Sequence, residues 1–285
     1  MMRLKFRPML FLLLIVNCLL PTAYSPPPPS CKEILKNTLD AVDKIQTLKF
    51  HLKCNERING KLLSTQSQVK LNRSPRKIYI YLKGPELLWI EGKNNGNCLV
   101  NPAGFPYMNL SLDPMGTLMR EKQHHTIHQM GFEYFGDIIK SSMDLLDKDF
   151  DTYFKCSGTL TWNTRECYFV TAEYPDFKYT DYTVLKSENL TTIAHKFKVS
   201  DYMLLEVNSD KVKNFHDVKV NQVIKVPNVY GSKMILYIDK ENFIPRVIKV
   251  YDDKGVFESY EYHDLQLNPK IADEEFTKDY KEYRF

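Results

Sequence analysis

His124, His125 and His128, in the run QHHTIHQ, are the densest group of metal-capable side chains in the sequence. On a helix, His124 and His128 would share a face at i, i+4, with His125 beside His128 at i, i+3. Two imidazoles so placed would hold one divalent ion, with Glu133 and Asp137 following as oxygen ligands, and would support metal-assisted hydrolysis. No HExxH spacing occurs, so no glutamate stands between the histidines as a general base. The expectation is therefore no metal, the three histidines capping or lining the mouth of a helical cover. Nucleophile elbows, P-loops and glycine-rich dinucleotide turns are also missing from a chain with only 11 glycines. The sequence predicts neither an enzyme nor a cofactor.

The elements that would carry those histidines are mixed. Ile34, Leu35, Leu39, Val42 and Ile45 predict an amphipathic helix over 31–46 with Ser30 as N-cap. From Thr47 the apolar period changes to two, and Asn59-Gly60 marks a hairpin. Strands follow over 63–71, 77–82, 87–91 and 98–101. Asp113-Pro114 predicts a helix start, and interrupted helical spacing runs from Met115 to Leu146. Strands resume over 153–162, 167–173, 234–239, 246–251 and 257–267. The fold class is α+β, a curved antiparallel sheet wrapping helices.

Residues 1–25 read as an export signal: Arg3, Lys5 and Arg7 precede an apolar run, and Ala23 and Ser25 occupy the small-residue cleavage positions. Pro26 directly after that site leaves an uncleaved, membrane-anchored form as the alternative. The protein is thus expected in the periplasm or cell envelope. The whole chain carries 39 basic and 35 acidic residues. Loss of the three basic residues of the signal leaves a nearly neutral chain, with no long-range pull on nucleic acid. Five cysteines remain beyond the signal: Cys31, Cys54, Cys98, Cys156 and Cys167. Cys156 and Cys167 flank a hairpin near Asn163-Thr164 and are candidates for a disulfide. A tight turn there would set Cys167 opposite Leu160 instead.

Residues 181–227 have an order of their own. Tyr182 to Leu185 is a short strand, and Leu190, Ile193, Ala194 and Phe197 make one apolar helix face. Ser200 caps a second helix through Met203, Leu204 and Val207, and Val223 to Val226 closes the unit before Pro227. This βααβ segment resembles the LysM module, through its opening Tyr-Thr-Val, its Leu-x-x-Ile-Ala-x-x-Phe helix and its Gln-x-Ile-x-Val-Pro close. The resemblance implies binding of N-acetylglucosamine glycans, and hence peptidoglycan. The groove would lie between Ser187, Glu188, Asn189 and Leu190 on one lip and Val220, Asn221, Gln222 and Val223 on the other. The family has Gly-Asp at Ser187-Glu188 and Gly at Asn221, so two backbone positions suited to close approach to a sugar are changed here.

The remainder, residues 26–180 with 228–285, resembles exported bacterial proteins related to the lipoprotein carrier and outer-membrane lipoprotein-sorting fold. The likeness runs through Ser74-Pro75-Arg76-Lys77-Ile78-Tyr79, Gly84-Pro85-Glu86-Leu87-Leu88-Trp89, Leu112-Asp113-Pro114 and Glu258-Ser259-Tyr260-Glu261-Tyr262. It implies a half-open barrel whose concave face would hold acyl chains, and it brings no catalytic residues. The leading expectation is a non-enzymatic envelope protein that docks on peptidoglycan through the insert. The alternative is a periplasmic lipid or lipoprotein carrier in which the insert is structural.

Overall fold

The protein is described by a computed structural model over residues 28–285, so the expected export signal at 1–25 lies outside the described residues. Ser30 caps helix α1 (Cys31–Asp43), and the Glu33 carboxylate in turn accepts the Ser30 N–H at 2.7 Å, a capping box. Strand β1 (Thr47–Ile58) buries Leu48, Phe50, Leu52, Cys54 and, in the same phase, Glu56. Asn59 and Gly60 both take positive φ, 49° and 75°, as a two-residue hairpin turn requires, and β2 (Lys61–Asn72) returns in unbroken register. β3 (Lys77–Tyr81), β4 (Glu86–Ile90), β5 (Cys98–Asn101) and β6 (Leu110–Leu112) extend the meander.

The helical crossing is not one interrupted helix. Asp113 caps no helix; its carboxylate accepts the Met115 N–H at 2.9 Å in a turn, and α2 (Thr117–Arg120) is a single turn starting after Gly116. A short 3-10 turn covers Ile127–Gln129, and only α3 (Glu133–Leu145) is long. Gly131 separates the last two at φ 109°, and a Cβ there would meet a Glu133 oxygen at 2.6 Å. That conformation is closed to other residues, so the apolar period cannot continue as helix through it. Gly136 faces α1, where a Cβ would make ordinary contact with Val42 at 3.6 Å.

After α4 (Phe150–Tyr153), β7 (Phe154–Trp162) and β8 (Arg165–Glu173) form a hairpin turning through Asn163 and Thr164, both at positive φ. The register sets Leu160 opposite Cys167, as a tight turn requires, and Val170 opposite Cys156, so the candidate Cys156–Cys167 bridge does not form. Cys156 is bonded to Cys31 instead, with Cα atoms 5.3 Å apart, which ties the start of α1 to β7. Cys54, Cys98 and Cys167 are buried thiols. Burial pushes the Cys98 thiol up to about 12 and Cys167 up to about 11, away from reactivity.

Next come β9 (Tyr179–Thr183), α5 (Leu190–Phe197), α6 (Asp201–Val207) and β10 (Val223–Pro227); β9 and β10 pair antiparallel as a separate two-stranded sheet. The chain then enters β11 (Lys233–Asp239), which pairs directly with β8, so the βααβ unit leaves and re-enters between neighbouring strands. β12 (Pro245–Asp252) and β13 (Gly255–Leu267) follow, and β13 pairs with β1. The result is an 11-stranded antiparallel sheet in the order β6-β5-β4-β3-β2-β1-β13-β12-β11-β8-β7, open at β6 and β7.

The βααβ unit is docked rather than tethered. Arg57 of β1 reaches Glu206 of α6 (Nε, 3.1 Å) and Asp252 of β12 (Nη1, 3.0 Å), and Arg120 of α2 reaches Asp201 at 2.9 Å. Leu190, Ile193, Met203 and Leu204 belong to the same contiguous core as the large sheet.

Candidate functional site

Between the inner face of the sheet and the broken crossing lies a cavity of about 420 Å³. Leu52 and Cys54 of β1, Ile80 of β3, Leu87 of β4 and Tyr260 and Tyr262 of β13 supply the sheet side. Met119, Ile127, Met130 and Phe135 supply the cover. These residues reach one space because strand period two sends alternate residues inward while the cover crosses above them. Leu82 and Leu118 also line it and are 37 % and 65 % exposed, so an apolar rim faces solvent. The size lies within the range of small-molecule sites. A more open depression of about 790 Å³ near Trp162, Arg165 and His263 is mainly polar in its side chains.

One end of the cavity is polar. Glu56, His125 and Tyr260 line it, and behind them stands Glu258, with 0 % exposure. A single Glu258 oxygen lies 2.8 Å from His124 Nδ1 and 3.2 Å from His125 Nε2, with the Tyr260 hydroxyl oxygen also 3.2 Å away. The other oxygen accepts from Tyr230 at 2.8 Å. Glu56 accepts from the Tyr260 hydroxyl at 2.6 Å and from the His124 backbone N–H at 3.1 Å. His124 Nε2 faces the Arg57 carbonyl at 2.9 Å, so both His124 nitrogens face oxygen acceptors.

Electrostatics follow from this packing. Burial would raise the Glu258 carboxyl, but the His125 charge and the hydrogen bonds from His124 and His125 hold it well below the usual carboxylate range. Burial would lower His125, yet the Glu258 charge and hydrogen bond leave it above the ordinary imidazole value. Tyr260 and Tyr230 are pushed well above the usual phenol value, burial first and the Glu258 charge second.

The histidines are therefore not arranged as a helical metal face. His124 and His125 sit in the irregular segment between α2 and the 3-10 turn, so the i, i+4 geometry assumed for His124 and His128 is absent. His128 points to another neighbour, its ring centroid 4.6 Å from that of Trp89, and burial and Arg76 lower its basicity. Among the described residues, the group of three His/Cys/Asp/Glu side chains whose ligand atoms lie within 4.8 Å of one another is Glu56, His124 and Glu258. All three already bond within the network. Glu56 and Glu258 escaped the reading of the sequence, although each falls in phase with an inward stripe: Leu52-Cys54-Glu56 and Glu258-Tyr260-Tyr262.

The two groove lips of the βααβ unit meet, but Leu190 is not at their surface. Val184 N donates to the Gln222 carbonyl and Asn221 N to the Val184 carbonyl, both at 2.9 Å, so the two lips are stitched side by side. Leu190 is no lip residue; it is fully buried in the core. Glu188 accepts from Tyr182 at 2.8 Å and Leu185 N at 2.9 Å, Asn189 caps α5, and Gln222 accepts from Lys219 N at 2.8 Å. Ser187 and Asn221 both take φ 67°, and Val220 and Val223 remain exposed. No helix among the described residues is long and apolar enough to cross a membrane.

No curated protein matches the sequence. Similar solved structures include a LolA superfamily protein from Nitrosomonas europaea, with 12 % identity, TM-score 0.33, and 89 % of this chain covering 100 % of that one. The Mycobacterium tuberculosis lipoprotein LppX shows 10 % identity, TM-score 0.39, and 85 % against 99 % coverage. A chain of the Pseudomonas aeruginosa MucA/MucB complex shows 9 % identity and TM-score 0.39; 87 % of this chain is covered, spanning 60 % of that one. Likenesses at these scores carry no functional argument. Residues 45–187 and 182–285 match a family described as a protein of unknown function, DUF1571, and the chain belongs to that family.

Proposed function

We propose that the protein is a non-enzymatic carrier of an apolar chain, a lipid or the acyl group of a lipoprotein, held under the helical cover and working in the periplasm or cell envelope. The observation that carries this is the cavity of about 420 Å³, walled by Leu52, Ile80, Leu87, Ile127, Met130 and Phe135 and rimmed by exposed Leu82 and Leu118. An interior built for stability alone closes such space, because cavities in packed cores cost stability. The test is native mass spectrometry of protein purified from its own envelope, beside an Ile127→Trp variant that fills the space. A co-purifying acyl species on the wild type and none on the variant is expected. Bare polypeptide in both samples, with no uptake of added phospholipid, would sink the reading.

A second reading concerns the βααβ unit, as a LysM-like module that docks on peptidoglycan. It draws support from Ser187 and Asn221, which hold positive φ at two places where LysM sequences carry glycine. Exposed Val220 and Val223 beside them leave an apolar strip for a sugar face. Retention of the full chain on insoluble peptidoglycan, lost on Val223→Asp, is the outcome expected; retention no greater than on cellulose counts against it.

A further inference from the structure

The polar end of the cavity restricts what the carried molecule has at its head. His125 uses Nε2 toward Glu258, and Nδ1 has no protein partner. The His125 side chain keeps 13 % exposure. The space that its ring lines is the cavity. The ring is fixed there by Tyr134 and Phe135, at centroid distances of 4.9 and 5.5 Å. Glu56 lines the same cavity as a carboxylate whose two oxygens each accept one hydrogen bond and retain capacity for another.

We propose that this end binds an uncharged hydroxyl head, so that the ligand is a single alkyl or acyl chain ending in an alcohol or glycerol hydroxyl. A hydroxyl both donates and accepts, and so it fits the site in which His125 donates and Glu56 accepts. It accepts from His125 Nδ1–H while its one proton goes to Glu56; with the ring neutral that proton serves Nδ1 or Glu56, one at a time. A fatty carboxylate offers only acceptors and brings a second negative charge beside buried Glu56; Lys122, which also lines the cavity, is exposed and screened by water, so it offsets this only weakly. An ester carbonyl accepts from His125 but gives Glu56 nothing. The raised basicity of His125 agrees with a donor at Nδ1. This inference rests on the carrier reading above and specifies its ligand class.

The test is displacement of a fluorescent apolar probe from the full chain by dodecanol, methyl dodecanoate and dodecanoate at neutral pH. Dodecanol is expected to bind about tenfold tighter than the ester, with dodecanoate weakest, since each hydrogen bond to a charged buried group is worth about that factor. His125→Leu should weaken the alcohol and the ester alike, and Glu56→Gln should narrow the alcohol's lead over the ester and raise dodecanoate binding relative to the alcohol. If a variant fails to fold, the wild-type order decides alone. Equal binding of all three, or dodecanoate tightest, overturns the hydroxyl inference and leaves the carrier standing. Displacement by none of the three overturns both.

Discussion

Glu56 and Glu258 stand directly opposite each other across the β1–β13 ladder, and both are buried, at 7 % and 0 % exposure. Like charges so placed in a sheet repel, and burial makes the repulsion worse. The cover segment resolves the conflict. His124 gives its backbone N–H to Glu56 and its imidazole to Glu258, while His125 adds a second imidazole on the Glu258 side. The irregular crossing is thereby held to the sheet by charge as well as by apolar contact, and the roof of the cavity is positioned by the same atoms that make its polar end.

Glu258→Gln should cost about 3 kcal/mol, because it leaves His124 and His125 without their shared counter-charge in a buried site. Urea unfolding of the full chain measures it. By contrast, removing the half-exposed Lys53 partner of Glu261, 3.3 Å away, should cost under about 1 kcal/mol. Equal losses at the two sites would mean that the buried network contributes no more than a surface pair.

The same network sets a pH dependence whose sign follows from the two shifts. His125 is raised above its ordinary 6.5 in the folded protein, so its contribution is fully present below 6.5 and is lost as pH rises through the folded value. Glu258 is depressed below its ordinary 4.5, so its contribution is present above 4.5 and is lost on acidification through the folded value. The ion pair they share is thus most stabilising between those ordinary values and weakens toward alkaline pH. Thermal midpoints followed from mildly acidic to alkaline buffer should fall for the wild type, and the fall should be shallower in His125→Gln. Parallel curves would remove His125 as its source.

Reduction of Cys31–Cys156 should lower stability by about 2–4 kcal/mol, since the bond closes a loop with a sequence separation of 125 residues. Peptide mapping without reductant should recover Cys31 linked to Cys156, with Cys54, Cys98 and Cys167 unlabelled by a thiol reagent until the chain unfolds. A linked Cys156–Cys167 peptide would contradict the β7–β8 register.

Local signals in the sequence carried most of the strand pattern. Asn59-Gly60 and Asn163-Thr164 turn where they are expected to, and the period-two stripe of β1 is the buried face. The crossing was misread because Ile127, Met130, Phe135 and Ile138 keep helical spacing across Gly131, whose φ of 109° no spacing rule reveals. The site was hidden for a different reason. Glu56 and Glu258 each look like a polar residue near a strand end, and they become a pair only when β1 lies beside β13, a long-range register that no local pattern specifies. With that pairing known, a carboxylate in phase with Leu52 and Cys54 is visibly a buried charge that needs a cation, and His124 is the nearest candidate.

Ser187 and Asn221 occupy the same left-handed backbone region, at φ 67° each, yet they should respond differently to glycine. Asparagine tolerates that region comparatively well, whereas serine bears a Cβ clash of about 1–2 kcal/mol that its hydroxyl does little to offset. Glycine removes the clash and adds back about 0.5–1 kcal/mol of chain entropy lost on folding. Ser187→Gly is therefore expected to stabilise the full chain by about 0.5 kcal/mol, and Asn221→Gly to leave it nearly unchanged or slightly weaker. Denaturant midpoints of the two variants beside the wild type measure the difference. If Ser187→Gly destabilises, the serine side chain must be holding the loop, and the correspondence of this lip with a glycine-built one loses its backbone rationale.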